Sequence, residues 1–267
     1  MSTAAFVSPE TIQQARTIAW TTALGAITAE ALAERDRLSI DVAREQLDEL
    51  VGLELLERHS VLVDHPDLYT ATIAGRRLAR KHADAGGYRY PEGLRTARVT
   101  IREARHMIAC ASVAAALERR YADYRVIGER ELHRDERKAR RRLASVDIRR
   151  NGKMGSHFPD LVVWPPGEPG EAAPLPIAVE VELTLKSTQE LTAILCAWAN
   201  CRYIEAALYF AESLKIEEKL LDVIEELKAE DWVVVNPLSE VVKELPGFEL
   251  DNWLEPAAGV EGEDDEG

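Results

Sequence analysis

Apolar residues recur at helical spacing through the first part of the chain and at strand spacing further on. Residues 11–24 carry them three and four apart, a short second segment at 28–35 presents Ala29, Leu32 and Ala33, and Arg37-Leu38-Ser39 breaks the pattern. Ser39 is a good helix cap, and after it Ala43, Leu47, Leu50 and Val51 fall at i, i+4, i+7 and i+8, the buried face of a third helix over 40–51. Residues 53–63 and 68–73 read as two strands joined by Asp64-His65-Pro66-Asp67, a turn.

Three helices and a hairpin predict a winged helix-turn-helix over residues 1–81. Such a unit binds DNA through its third helix and its hairpin, or serves as a dimerisation or protein-docking module, which leaves a homodimer open. The exposed face of the third helix, Asp41, Arg44, Glu45, Asp48 and Glu49, is more acidic than a phosphate-facing helix should be. Arg44 is its base-reading candidate, while Arg58, Arg76, Arg77, Arg80 and Lys81 favour contact through the wing and the helix that follows.

Gly86-Gly87, Pro91 and Gly93 mark residues 82–97 as a linker, and residues 98–245 read as a second domain. It opens on a long helix over 99–121 with Ile101, Ile108, Val113 and Leu117 as its stripe, followed by a strand over 124–132. Residues 125–153 then hold eleven basic and five acidic side chains, including Arg137, Lys138, Arg140, Arg141 and Arg142. Such a run is either a solvated surface or a nucleic-acid groove. Further on, Ser187-Thr188-Gln189-Glu190 matches a capping box, so a helix begins just after Lys186. A strand over 204–210, a helix over 214–227 and a strand over 232–235 complete a mixed α/β sheet domain covered by helices.

Between the basic run and that capping box lies the chemistry. Residues 157–164 read His-Phe-Pro-Asp-Leu-Val-Val-Trp, and a Pro/Gly-rich loop leads to a strand at 177–186. In it Ile177, Val179, Val181 and Leu183 share one face, so Glu180 and Glu182 share the other. A hairpin between the two strands brings Asp160 beside them. Three convergent carboxylates repel unless a hard divalent cation sits between them, which predicts a Mg2+ or Mn2+ site of Asp160, Glu180 and Glu182. The plainer alternative is that Glu180 and Glu182 form the wet face of an edge strand.

The Pro-Asp, Glu-x-Glu, Lys order resembles the PD-(D/E)xK nuclease superfamily over roughly residues 98–237. The resemblance implies an αβββαβ core with Asp160, Glu180, Glu182 and Lys186 as catalytic residues. In that superfamily the lysine usually stands two residues after the second acid. Here Glu182 holds that place and Lys186 lies four residues further on.

Charge divides along the chain. Residues 1–155 hold 27 Lys and Arg against 22 Asp and Glu, and the remainder 6 against 25, so the net −14 hides a basic first part. Residues 246–267 read as an acidic tail in which only Trp253 and Leu254 could anchor anything. No stretch is apolar enough to cross a bilayer and the N-terminus lacks the regions of a signal peptide, so a cytoplasmic protein without a membrane partner is expected. Cys110, Cys196 and Cys201 have no zinc-type spacing and read as reduced, mostly buried thiols.

Together the two parts resemble the replication-relaxation family of actinobacterial plasmids and other mobile elements. The resemblance is carried by Leu68-Tyr69-Thr70-Ala71-Thr72-Ile73-Ala74-Gly75-Arg76-Arg77-Leu78-Ala79, by His157-Phe158-Pro159-Asp160, and by residues 178–187 with the strand at 204–210. It implies DNA as partner, other replication or transfer proteins beside it, and a place in plasmid replication, relaxation or transfer. Three functions follow as expectations: a Mg2+-dependent nuclease or nickase, a non-catalytic DNA-binding regulator that keeps the nuclease fold as scaffold, and a protein-interaction module. Glu103 on the long helix is a further candidate acid for the first.

Overall fold

The computed structural model describes residues 7–150, 152–167 and 174–242. The expected acidic tail, with Trp253 and Leu254, lies outside the described residues, as does part of the Pro/Gly-rich loop after Trp164.

Hydroxyl caps set the first helices. Ser8 accepts from the Thr11 amide at 3.1 Å at the start of α1 (Pro9–Leu24), and Thr28 from the Ala31 amide at 3.1 Å at the start of α2 (Ala29–Asp36). Ser39 caps α3 (Ile40–Gly52), which buries Ala43, Leu47 and Leu50. β1 (Leu56–His59) and β2 (Leu68–Ala71) pair antiparallel. They are shorter than the predicted strands because the chain turns after α3 with Glu54 at φ 59°, and a long loop joins them.

α4 (Ile73–Gly86) packs along α1 and runs past the predicted domain boundary at residue 81. A side chain on Gly86 would meet the Tyr88 ring at 2.6 Å, and Gly87 at φ 61° ends the helix. The expected linker is therefore part helix, and its remainder is tied to both sides. Thr96 donates to the Ala71 carbonyl (3.1 Å) and Arg76 to that of Leu94 (2.5 Å), while Arg130 and Arg134 donate to those of Arg95 and Glu92 (2.5 and 2.6 Å).

α5 (Ile101–Arg120) joins the two halves. Apart from Ser112, its stretch over residues 107–117 is apolar all round, as a helix segment buried on two sides must be. Ala111 and Ala115 belong to the core of the first unit, with Ile18, Leu32, Leu47 and Tyr69, while Ile108, Val113 and Leu117 belong to a core with Leu161, Val179 and Phe210. Polar contacts add to this: Trp20 donates to Glu118 (2.9 Å) and Arg119 to the buried Glu34 (2.5 Å).

The stretch predicted as one strand over 124–132 is two elements, β3 (Arg125–Gly128) and α6 (Glu129–Ala139). The Glu129 amide donates to the Asp160 carbonyl, and the helix that starts there has Glu129 and Glu131 in its first turn and Arg137 and Lys138 in its last, charges that suit its dipole. β4 (Val146–Arg150) and β5 (Lys153–His157) form a separate hairpin turning at Gly152, φ 78°. Then follow β6 (Leu161–Trp164), β7 (Ile177–Glu182), α7 (Thr188–Ala199), β8 (Ala206–Ala211), α8 (Leu214–Leu227), β9 (Val233–Pro237) and α9 (Leu238–Val242).

The main sheet has the order β3-β6-β7-β8-β9, antiparallel across its first two pairings and parallel across the last two. This is a mixed α/β fold with a mixed sheet. Where helix, three strands, helix and strand are expected, the chain runs α5, β3, α6, β4, β5, β6, β7, α7 and β8, with α6 and the β4–β5 hairpin as additional elements. Residues of α7 and α8, among them Leu195, Trp198, Leu220 and Ile224, cover one sheet face, and α5 covers the other.

Candidate active site

β7 is a central strand, flanked by β6 and β8. Its alternation turns Val179 and Val181 toward α5, and Glu180 and Glu182 to the opposite face, where they are 4% and 3% exposed. The wet edge-strand alternative fails on both counts. A buried carboxylate needs a partner, and each has one: Glu180 Oε1 lies 2.6 Å from His157 Nε2, and Glu182 Oε2 contacts Lys186 Nζ.

Asp160 joins them where the β6–β7 ladder ends. Backbone pairing starts at Leu161 opposite Val179, and one step before it the Asp160 side chain replaces the missing acceptor, its Oδ2 receiving the Val181 amide at 2.7 Å. Its Oδ1 lies 3.2 Å from His106 Nε2 on α5. Asp160, Glu180, Glu182 and Lys186 thus line one cleft of about 390 Å³, together with Arg102, Arg105, His106, Glu129 and His157. Arg105 is paired with Glu212, and the Glu212 amide donates to the Glu182 carbonyl at 3.0 Å.

Burial shifts the site's titrations. Desolvation raises the Glu180 carboxyl above its ordinary value, and His157 partly offsets it. Glu129 is also raised, by burial and then by the Asp160 charge. Burial lowers His106, but its hydrogen bonds to Asp160 and Cys110 outweigh that and push it up to about 12. Burial, then the Asp160 charge, pushes the Cys110 thiol up to about 11.

A hard divalent cation fits this donor set: Asp160, Glu180 and Glu182 converge in the cleft, two of them almost fully buried, and their own partners are two imidazoles and one ammonium. Asp160, Glu180 and Glu182 would hold it. Glu103 does not join them. Its carboxylate accepts from the Thr100 hydroxyl (2.9 Å) at the exposed start of α5, and the acid that lines the cleft is Glu129.

The predicted nucleic-acid contacts divide. Arg77 on α4 and Arg137, Lys138, Arg140 and Arg141 at and after the end of α6 are exposed and form no ion pair among the described residues, and Arg149 and Lys153 on the β4–β5 hairpin are exposed as well. Others are committed to the fold. Arg142 reaches Glu136, Ser145, Asp147 and Ser156, and Arg76 holds the Leu94 carbonyl. Arg58 lies between Asp48 and Asp67 (3.4 and 3.8 Å), and Arg44 pairs with Asp41 (3.3 Å) on the acidic face of α3.

Sequence reading missed His106, Cys110, Glu129 and His157 as site residues. His106 and Cys110 stand four apart on one helix, a legible spacing, but their partner Asp160 is supplied by the fold.

Comparison of the chain with protein-family models and with curated proteins gives no match. Among solved structures it is similar to protein VC1899 from Vibrio cholerae, at 12% identity and a TM-score of 0.31, over 90% of this chain and 55% of that one. The chain therefore spans about half the length of that structure. Among the described residues no helix is long and apolar enough to cross a membrane.

Proposed function

We propose that the protein is a Mg2+- or Mn2+-dependent phosphodiesterase that nicks or cleaves DNA, built as a winged helix joined to a PD-(D/E)xK-like domain. The observation that carries the reading is the convergence of Asp160, Glu180, Glu182 and Lys186 on one cleft, from two strands and the start of a helix. A bound divalent cation supplies Lewis-acid stabilisation of the charge that develops on an attacked phosphate. Lys186, just ahead of the α7 N-terminus, sets an ammonium where it can also meet a phosphate oxygen. The Val181 amide fixes the Asp160 carboxylate, and His157 fixes that of Glu180. Arg137, Lys138, Arg140, Arg141, Arg149 and Lys153 supply a phosphate-binding surface, and the hairpin that carries two of them ends at His157 in the cleft.

The test is cleavage of supercoiled and linear plasmid with Mg2+ or Mn2+. Asp160→Ala and Glu180→Ala should each lose several orders of magnitude in rate while still binding DNA. Cleavage that survives both changes removes the reading.

A second reading rests on a specific observation: each carboxylate already has an internal partner, His157, Lys186 or His106. In a DNA-binding regulator that keeps the nuclease fold as scaffold, such pairs close the site. Calorimetric titration of Mn2+ separates the two readings, because the scaffold takes up no cation near millimolar concentration, even with DNA present.

A further inference from the structure

Asp160 faces two clefts. The second, of about 350 Å³, lies between α5 and the end of β3 and is lined by His106, Cys110, Glu129, Arg130, Thr96 and Asp160 among others. The carboxylate chemistry above uses neither Cys110 nor the cluster it forms. His106 Nε2 lies 3.2 Å from Asp160 Oδ1, Cys110 Sγ lies 3.7 Å from both His106 nitrogens, and one donor atom of each residue falls within 4.8 Å of the others.

The His106–Asp160 and His106–Cys110 separations fall close to the edges of a coordination tetrahedron. Bonds of about 2.0–2.3 Å to nitrogen, oxygen and sulfur at tetrahedral angles put neighbouring ligand atoms about 3.3–3.6 Å apart. A thiol nucleophile with a histidine base is the competing chemistry. Sγ lies 3.7 Å from both Nδ1 and Nε2, in line with neither, so the ring must turn for proton transfer and for a shared ion alike, and the Asp160 carboxylate beside them is what favours the ion. One sulfur, one imidazole and one carboxylate suit a borderline ion better than the hard cation fitted by Asp160, Glu180 and Glu182.

We propose that His106, Cys110 and Asp160 form a second metal site, selective for Zn2+ or a similar borderline divalent ion, in which three protein ligands leave the fourth corner open to the cleft. Asp160 is then shared between two sites of different hardness. On uptake the thiol proton leaves to solvent and Cys110 binds as thiolate, so affinity rises with pH.

Titration of the metal-free protein with Co2+, followed by displacement with Zn2+, tests the site. One equivalent of Co2+ should give thiolate charge-transfer absorption in the near ultraviolet with tetrahedral d–d bands, and Zn2+ should abolish both. Cys110→Ser should lose the charge-transfer band, Cys196→Ser should retain it, and Glu180→Gln should retain it while losing the hard-cation site. That last contrast keeps failure of this site distinguishable from failure of the proposed nuclease. No charge-transfer band at one equivalent, or a band that survives Cys110→Ser, overturns the proposal. If Cys110→Ser does not fold by circular dichroism, alkylation of the wild-type chain decides. Zn2+ should protect Cys110 from iodoacetamide, read by peptide mass spectrometry, and unprotected Cys110 overturns the site.

Discussion

The Lys186 ammonium contacts the carboxylate of Glu182, four residues back across the turn from β7 into α7. A straight strand would separate them by about 13 Å at ~3.3 Å per residue. The chain instead leaves the sheet after Glu182 and begins a helix capped by Ser187, which brings the lysine back over the acid. A lysine displaced in sequence from the nuclease pattern is therefore returned to the carboxylates by the fold.

Lys186→Met frees Glu182 of its counter-charge. Divalent cation should then bind more tightly, because it no longer competes with the ammonium, while single-turnover cleavage at saturating cation slows by at least ~100-fold. Calorimetry and rapid-quench kinetics on the same variant check both. Unchanged turnover would reduce Lys186 to a structural counter-ion.

The basic side chains separate into exposed ones, which the proposed function assigns to phosphate contacts, and ones committed to the fold. Arg140→Ala with Arg141→Ala should flatten the dependence of log K on log salt by up to ~2 units, at ~0.9 per phosphate contact. Arg142→Ala should leave that slope nearly intact and lower the melting temperature instead, since its guanidinium ties the start of β4 to α6 and β5. Fluorescence anisotropy across a salt series, with thermal melts alongside, reads the contrast. Equal slopes in all three proteins would remove this surface from DNA binding.

Period and capping made much of this fold legible. Ser39, Ser187 and the apolar stripe of α3 predict helices where helices lie, and alternation in residues 177–183 puts Glu180 and Glu182 on one face. Three features escaped. Val126, Ile127 and Leu132 suit a strand as well as a strand followed by a helix, and misreading them hid Glu129 in what becomes the first turn of α6. Asn151-Gly152 is a strong hairpin signal that was masked by the charge around it. His106 and Cys110 needed Asp160 brought across from another element, which no local pattern encodes.

Burial of the Glu180 carboxylate works against stability. Glu180 is 4% exposed and desolvation disfavours its charge, so replacing it with a neutral isostere removes a cost of folding while a hydrogen bond to His157 stays available. Glu180→Gln, melted without metal, should be as stable as the wild type or more so, by on the order of 1 kcal/mol. Added Mn2+ should stabilise the wild type and not the variant, since an ion that binds only the folded state raises its unfolding free energy. A variant that Mn2+ still stabilises equally would remove Glu180 from the cation site.

Glu136 provides the acid limb of stability. At 6% exposure it sits at the end of α6, where Oε1 accepts the amides of Leu143, Ala144 and Ser145 at 2.8, 3.0 and 2.8 Å and Oε2 accepts the Ser145 hydroxyl at 2.6 Å. Burial alone would raise this carboxyl, but the four hydrogen bonds outweigh it and hold it below its ordinary value of 4.5. The unfolded chain therefore binds the proton more readily than the folded one, and stability rises with pH through this window. The contribution is complete above about pH 4.5 and is lost as pH falls through the lower, folded value. Glu136→Gln puts an amide donor where an acceptor is needed and should cost about 1.5–3 kcal/mol at pH 7, a gap that narrows as the wild type is acidified. Urea unfolding of both proteins at stepped pH from 7 to about 3 measures it. A gap that stays constant with pH would show that the ionised carboxylate is not what holds the turn into β4.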